Sequence, residues 1–91
     1  MTSEITTVLL AHARRGRSTM LGNGLTELVD GLRAEPGCVS CELDQRHDGV
    51  WFVSTQWGGD EALTNNLTSP LWNRLLLRLQ PDVACLEFMR H

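Results

Sequence analysis

Apolar and polar positions alternate in two different periods along this chain, and the switches between them mark out the elements. Ile5 to Ala13 is a short β-favouring run with Thr6, Thr7 and Val8 at its start, which predicts a first strand ending at Arg14-Arg15-Gly16. From Ser18, a plausible cap, Leu21, Leu25, Leu28 and Leu32 recur at helical spacing with Val29 alongside, placing one apolar stripe on a first helix. Gly22 and Gly24 weaken its opening turns and suggest close packing there, and Pro36-Gly37 stops it.

Cys38 to Asp44 and Val50 to Trp57 then read as two strands joined through Asp48-Gly49, a strong hairpin signal. With those two as the turn, Gln45 faces Phe52, Leu43 faces Ser54, Asp44 faces Val53 and Arg46 faces Trp51. Each sheet face would then mix apolar and polar side chains. A sheet with large apolar groups on both faces needs two covers; the helices supply one, and a second copy of the sheet is the expected other.

After Gly58-Gly59, Asp60 is placed to cap a second helix, whose stripe begins with Leu63 and Leu67 and is interrupted at Ser69-Pro70. Its second half carries Leu71, Trp72, Leu75, Leu76 and Leu79, and Gln80-Pro81-Asp82 ends it before a last strand from Val83 to Met89. The order β-α-β-β-α-β, with the second helix broken in two, is the ferredoxin-like split arrangement of an α+β fold. Residues 1–91 are read as a single domain.

Composition narrows the function classes. The 91 residues carry a formal charge of −3, and the one basic cluster, Arg14, Arg15 and Arg17, reads as a solvated turn, so no nucleic-acid footprint is expected. No stretch approaches the ~20 apolar residues of a membrane span, and Met1 to Leu10 lacks the features of a signal peptide; no membrane partner and a cytoplasmic location are expected. Three cysteines fit a reducing compartment. Cys38 and Cys41 form a C-x-x-C, but on a strand residues three apart point to opposite faces, and Cys85, His12, His47 and His91 are scattered. No metal and no cofactor are therefore expected.

Several residues can carry chemistry. Trp51, Trp57 and Trp72 dominate the five aromatics. Trp51 suits core or dimer-interface packing, whereas Trp57 and Trp72 either fill the core or wall a planar ligand. Asn65 and Asn66 sit in mid-helix, an unfavourable place for Asn: either they end the first half-helix, or one amide donates to a substrate oxygen. His12, near the end of the first strand, is either structural or a base. No Ser-His-Asp or Cys-His signature, phosphate loop or dinucleotide fingerprint is present.

At Arg33-Ala34-Glu35-Pro36-Gly37-Cys38, then Val39 to Leu43, Trp51 to Trp57 and Asp60-Glu61-Ala62-Leu63, the chain resembles the antibiotic biosynthesis monooxygenase family over nearly its whole length. The resemblance implies a ferredoxin-like protomer whose sheets pair into a homodimeric α+β barrel, with a cleft between sheet and helices. Its members include cofactor-independent monooxygenases that turn polycyclic phenols into quinones, relatives that degrade haem, and quinol oxidases. Where the family commonly has H-x-x-S-P-H on the second helix, this chain reads Asn66-Leu67-Thr68-Ser69-Pro70-Leu71, which speaks against haem ligation or histidine chemistry there.

By that resemblance Asn66, or its neighbour Asn65, and Trp72 are pocket residues, and Trp57 matches a framework position. The implied activity is oxidation of a small phenolic, polycyclic aromatic or quinol substrate by dioxygen. Asn66 would hydrogen-bond the phenolic oxygen, Trp72 and Trp57 would hold the ring plane, and His12 would accept the proton. The alternative is a non-catalytic ligand-binding or cyclase-like protein of the same fold.

Overall fold

A computed structural model describes residues 4–90; His91, the first residues of the Met1–Leu10 segment and the side chain of Leu71 lie outside that description. The elements follow as β1 (Ile5–Ala13), α1 (Ser18–Arg33), β2 (Cys38–His47), β3 (Val50–Trp57), α2 (Asp60–Leu67), α3 (Pro70–Leu79) and β4 (Val83–Arg90). The strands form one sheet in the order β2-β3-β1-β4, with all three pairings antiparallel. This is the ferredoxin-like α+β arrangement expected from the sequence. Among the described residues no helix is long and apolar enough to cross a membrane.

One face of the sheet carries Ile5, Thr7, Leu9 and Ala11 of β1 and Val53, Thr55 and Trp57 of β3, and it is buried under α1. The helix contributes Leu21, Leu25, Leu28, Val29 and Leu32, each turned inward by the spacing that announced it. Each fully buried Leu is worth roughly 1.5–3 kcal/mol, so this stripe docks the helix more strongly than its two early glycines loosen it. The glycines are packing devices. A Cβ on Gly22 would stand 2.6 Å from the Trp51 ring, and one on Gly24 would stand 2.7 Å from Leu79.

Two details differ from the sequence expectation and share a cause. Near the turn His47 pairs with Val50, but beyond it Gln45 faces Trp51, Asp44 faces Phe52 and Leu43 faces Val53, one residue out from the register predicted above. Arg46 is an extra residue in β2, a bulge that the alternation pattern does not encode. A second bulge at Val39 lets Cys38 pair with Trp57 while Cys41 pairs with Thr55. The two cysteines therefore share the helix-covered face instead of pointing apart. Trp51 is also on that face, against Gly22, with its indole N–H donating to Ser18 Oγ at 3.3 Å; it is not on the open face where a dimer contact would need it.

The helix caps differ too. Arg17 and Gly59 occupy the N-cap positions expected of Ser18 and Asp60, and neither makes a side-chain cap. Between α2 and α3 the Thr68 hydroxyl donates to the carbonyls of Thr64 and Asn65, and Ser69 N–H donates to the Asn66 carbonyl. Pro70, lacking an N–H, then starts α3 in the position where that loss matters least.

Among the described residues no helix covers the other face of the sheet. Val8 and Leu10 of β1, Phe52 of β3 and Met89 of β4 make an apolar centre, flanked by Asp44, Arg46 and Glu87. The Arg46 guanidinium lies 4.9 Å from the Phe52 ring centroid and 3.1 Å from the Asp44 carboxylate.

Candidate functional site

An apolar cleft of about 310 Å³ lies between the sheet and the broken helical segment α2–α3. Leu9 of β1 with Leu86 and Phe88 of β4 forms one wall; Leu67 of α2 with Trp72 and Leu76 of α3 forms the other. The strand residues share a face because Leu9 pairs directly with Phe88, and Leu86 lies two residues along. The cleft opens to solvent at its rim, where Leu67 is 47% and Phe88 44% exposed. Trp72 meets Phe88 edge-on across it, with ring centroids 6.2 Å apart at 83°. The volume is at the lower end of small-molecule sites, and the apolar lining with an aromatic pair suits a flat ring system.

A polar group lies behind the cleft's lining, next in sequence to Leu67 and bonded to Trp72, without itself lining the cleft. Asn66 follows Leu63 by one helical turn on the inward side of α2 and is 2% exposed. Its Oδ1 accepts a hydrogen bond from the Trp72 indole N–H at 2.5 Å, while Nδ2 is buried with no partner among the described residues. An amide donor left unpaired in a low-dielectric setting costs about 1–3 kcal/mol, so it is a feature requiring an explanation. None of the six lining residues is titratable.

The remaining sequence candidates lie elsewhere. Asn65, one residue from Asn66, projects about 100° round the helix and lines a shallow depression beside Gly37 and Gly59. His12 alternates with Ala11 and so faces the uncovered side of the sheet, 3.7 Å from Glu87; the sheet itself separates it from Asn66. Trp57 is 1% exposed in the core with its N–H on Thr7 Oγ1 at 3.1 Å, and it is not on the cleft wall. Only Asn66 and Trp72 of the five come together. The cleft's strand wall went unnoticed in the sequence, although Leu86 and Phe88, two apart and flanking Glu87 on the last strand, were the available signal.

Burial, and for Cys38 the neighbouring Cys41, raises the Cys38 and Cys41 thiols above their ordinary value, which disfavours the thiolate that redox or metal chemistry needs. Cys41 Sγ lies 3.3 Å from Thr55 Oγ1 and serves the core.

No family model matches the chain, and no curated protein matches it. Solved structures match along its whole length. One is PA3566 from Pseudomonas aeruginosa, 22% identical, covering 100% of this chain and 95% of that one with a TM-score of 0.86. Another is a candidate antibiotic biosynthesis monooxygenase from Caulobacter crescentus, 16% identical over 99% of this chain and 89% of that one, TM-score 0.84. A third is an asparagine-to-alanine variant of SnoaB, a cofactor-independent oxygenase from Streptomyces nogalater, 17% identical over 97% and 90%, TM-score 0.83. The chain thus has the fold of antibiotic biosynthesis monooxygenase-like proteins.

Proposed function

We propose that the cleft between β1, β4 and the α2–α3 break binds a planar phenolic substrate, and that the protein is a cofactor-independent monooxygenase acting on it with dioxygen. The observation that carries this reading is an apolar, aromatic-walled cleft with the buried amide donor of Asn66, unpartnered among the described residues, behind its Trp72 wall. A substrate oxygen that gains negative charge is the partner such a donor lacks. The shared fold with a cofactor-independent oxygenase supports the same reading.

For an anthrone-type substrate the chemistry balances without an added reductant. Loss of a proton from the ring methylene gives an anion whose charge rests on the ring oxygen, and that anion passes an electron to dioxygen. The methylene ends as a carbonyl: it gives up two hydrogens and gains one oxygen atom, and the second oxygen leaves as water with those hydrogens. Four electrons pass from carbon to oxygen. Asn66 Nδ2 would hold the ring oxygen and Trp72 the ring plane. A hydrogen bond to a charged group contributes about 1.5–3 kcal/mol, equivalent to roughly ten- to hundredfold in rate. With His12 on the far side of the sheet, the proton would leave to solvent through the cleft's open rim.

The assembly belongs to the same proposal. Val8, Leu10, Phe52 and Met89 form the apolar centre that a second copy of the sheet would cover, giving a homodimeric barrel with one cleft per protomer.

One observation favours the alternative of a non-catalytic aromatic-ligand binder: no titratable side chain lines the cleft among the described residues. Dissolved-oxygen consumption by the metal-stripped protein with anthrone-like phenols and quinols separates the two. Under the oxygenase reading uptake occurs and falls about ten- to hundredfold in Asn66→Ala. Binding without uptake across the panel would leave the binder.

A further inference from the structure

Cys85 and His12 are far apart in the sequence and adjacent in the sheet. They are partners in the β1–β4 ladder, and side chains directly opposite on neighbouring strands have Cβ atoms about 4.5–5.5 Å apart, within reach of a thiol and an imidazole nitrogen. Both point away from the helices, because their neighbours Ala11 and Leu86 point toward the core and the cleft. His12 Nε2 lies 3.7 Å from Glu87 Oε2, an ion-pair distance once the ring has taken up a proton. That leaves Nδ1, the nitrogen nearer the backbone, for the residue directly opposite. Cys85 is exposed, whereas Cys38 is half-buried and Cys41 buried. Since β4 is an edge strand, the thiol is open along the free edge of the sheet even where a second copy would cover the apolar centre of that face. Leu10 and Phe52 are paired in the adjoining row of the ladder and give a flat apolar surface beside it.

We propose that Cys85 is a nucleophilic thiol with His12 as its base, and that it is a covalent capture site for planar conjugated carbonyl electrophiles of the quinone class. His12 takes the thiol proton as sulfur attacks a quinone ring carbon β to a carbonyl. A C–S bond forms, the C=C electron pair moves through the ring to the carbonyl oxygen, and the proton held on His12 passes to that oxygen. The hydrogen on the attacked carbon then moves to the second oxygen, giving an aromatic hydroquinone thioether. Thiol and quinone combine with nothing left over, so no separate oxidant or reductant is consumed. Glu87 pairs with the imidazolium while it holds the proton and is a positioning residue. The site is on the opposite face of the sheet from the cleft and does not rest on the oxygenase reading.

Limiting 1,4-naphthoquinone in the absence of oxygen, followed by peptide mass mapping, tests the proposal on the wild-type protein in its own state of assembly. Cys85 should take the adduct ahead of Cys38 and Cys41, about tenfold or more faster than N-acetylcysteine at the same pH. Urea unfolding separates β1 from β4 and should bring the Cys85 rate to about that of N-acetylcysteine in the same urea. These readings need no variant.

His12→Gln should slow addition at Cys85 by about tenfold. Glu87→Gln should slow it by about threefold and should also abolish the fall in rate that added salt produces in the wild type, a signature of a screened charge pair that a merely structural role would not give. A Cys85 that reacts no faster than N-acetylcysteine in the folded protein, adduct forming first on Cys38 or Cys41, or a rate that His12→Gln leaves unchanged would each overturn the proposal. None of these results bears on oxygen uptake in the cleft.

Discussion

The Asn66 amide and the Trp72 indole should be energetically coupled, and a double-mutant cycle measures by how much. Asn66→Leu removes both the paired oxygen and the orphan nitrogen. The relieved orphan returns about 1–3 kcal/mol, but the Trp72 indole N–H loses its acceptor at a cost of about the same size, so this variant should lie within about 2 kcal/mol of wild type. Trp72→Phe strands Oδ1 beside the already unpaired Nδ2 and should destabilise by about 1–3 kcal/mol. In the double variant neither amide nor indole is present to be left unsatisfied, so Trp72→Phe should cost little on the Asn66→Leu background. The coupling energy is then about 1–3 kcal/mol. In a domain of this size 1 kcal/mol moves the melting temperature by about 4–8 °C, well within the resolution of urea or thermal unfolding followed at one fixed protein concentration. Single effects that add to within about 0.5 kcal/mol would mean the two side chains are not coupled, and the orphan-amide argument would fail with them. Asn66→Leu should keep its stability to within about 2 kcal/mol while losing about ten- to hundredfold in oxygen uptake, as expected where a binding site is strained for function.

Three other outcomes follow from the packing. Gly37 has φ +84° and a Cβ there would stand 2.3 Å from Ala62 Cβ, so Gly37→Ala combines left-handed strain with overpacking and should destabilise by about 2–4 kcal/mol in urea unfolding. Leu10→Glu on the uncovered sheet face should convert a dimer to a monomer in sedimentation or light scattering while leaving the far-ultraviolet spectrum unchanged; an unaltered mass would remove that face from the interface. Burial holds both Cys38 and Cys41 thiols above the ordinary value of 9.0, so the folded chain keeps protons that the unfolded chain releases. Their contribution to stability should be constant below pH 9 and fall as pH rises past it, and the slope of unfolding midpoint against pH between 8 and 10 should flatten in the Cys38→Ser/Cys41→Ala variant.

The sequence by itself determined the order and kind of every element, because apolar spacing, proline and glycine act locally: the leucine stripe of α1, the stop at Pro36-Gly37, the hairpin at Asp48-Gly49 and the break at Ser69-Pro70 are each written within a few residues. It also singled out Asn66 and Trp72. What it left open was every question of facing. One inserted residue at Arg46 and another at Val39 reverse the side on which flanking side chains fall, and nothing in a period-two pattern announces a bulge. The separation of Asn66 from Asn65 is a matter of helix phase against a sheet several elements away, and the separation of His12 from Asn66 is the thickness of that sheet. Which donor is left unpaired was decided last of all, by a six-residue reach across a helix break that brings an indole N–H to one particular oxygen. Local preference fixes where the chain bends; only packing between distant segments fixes which side chains share a cavity.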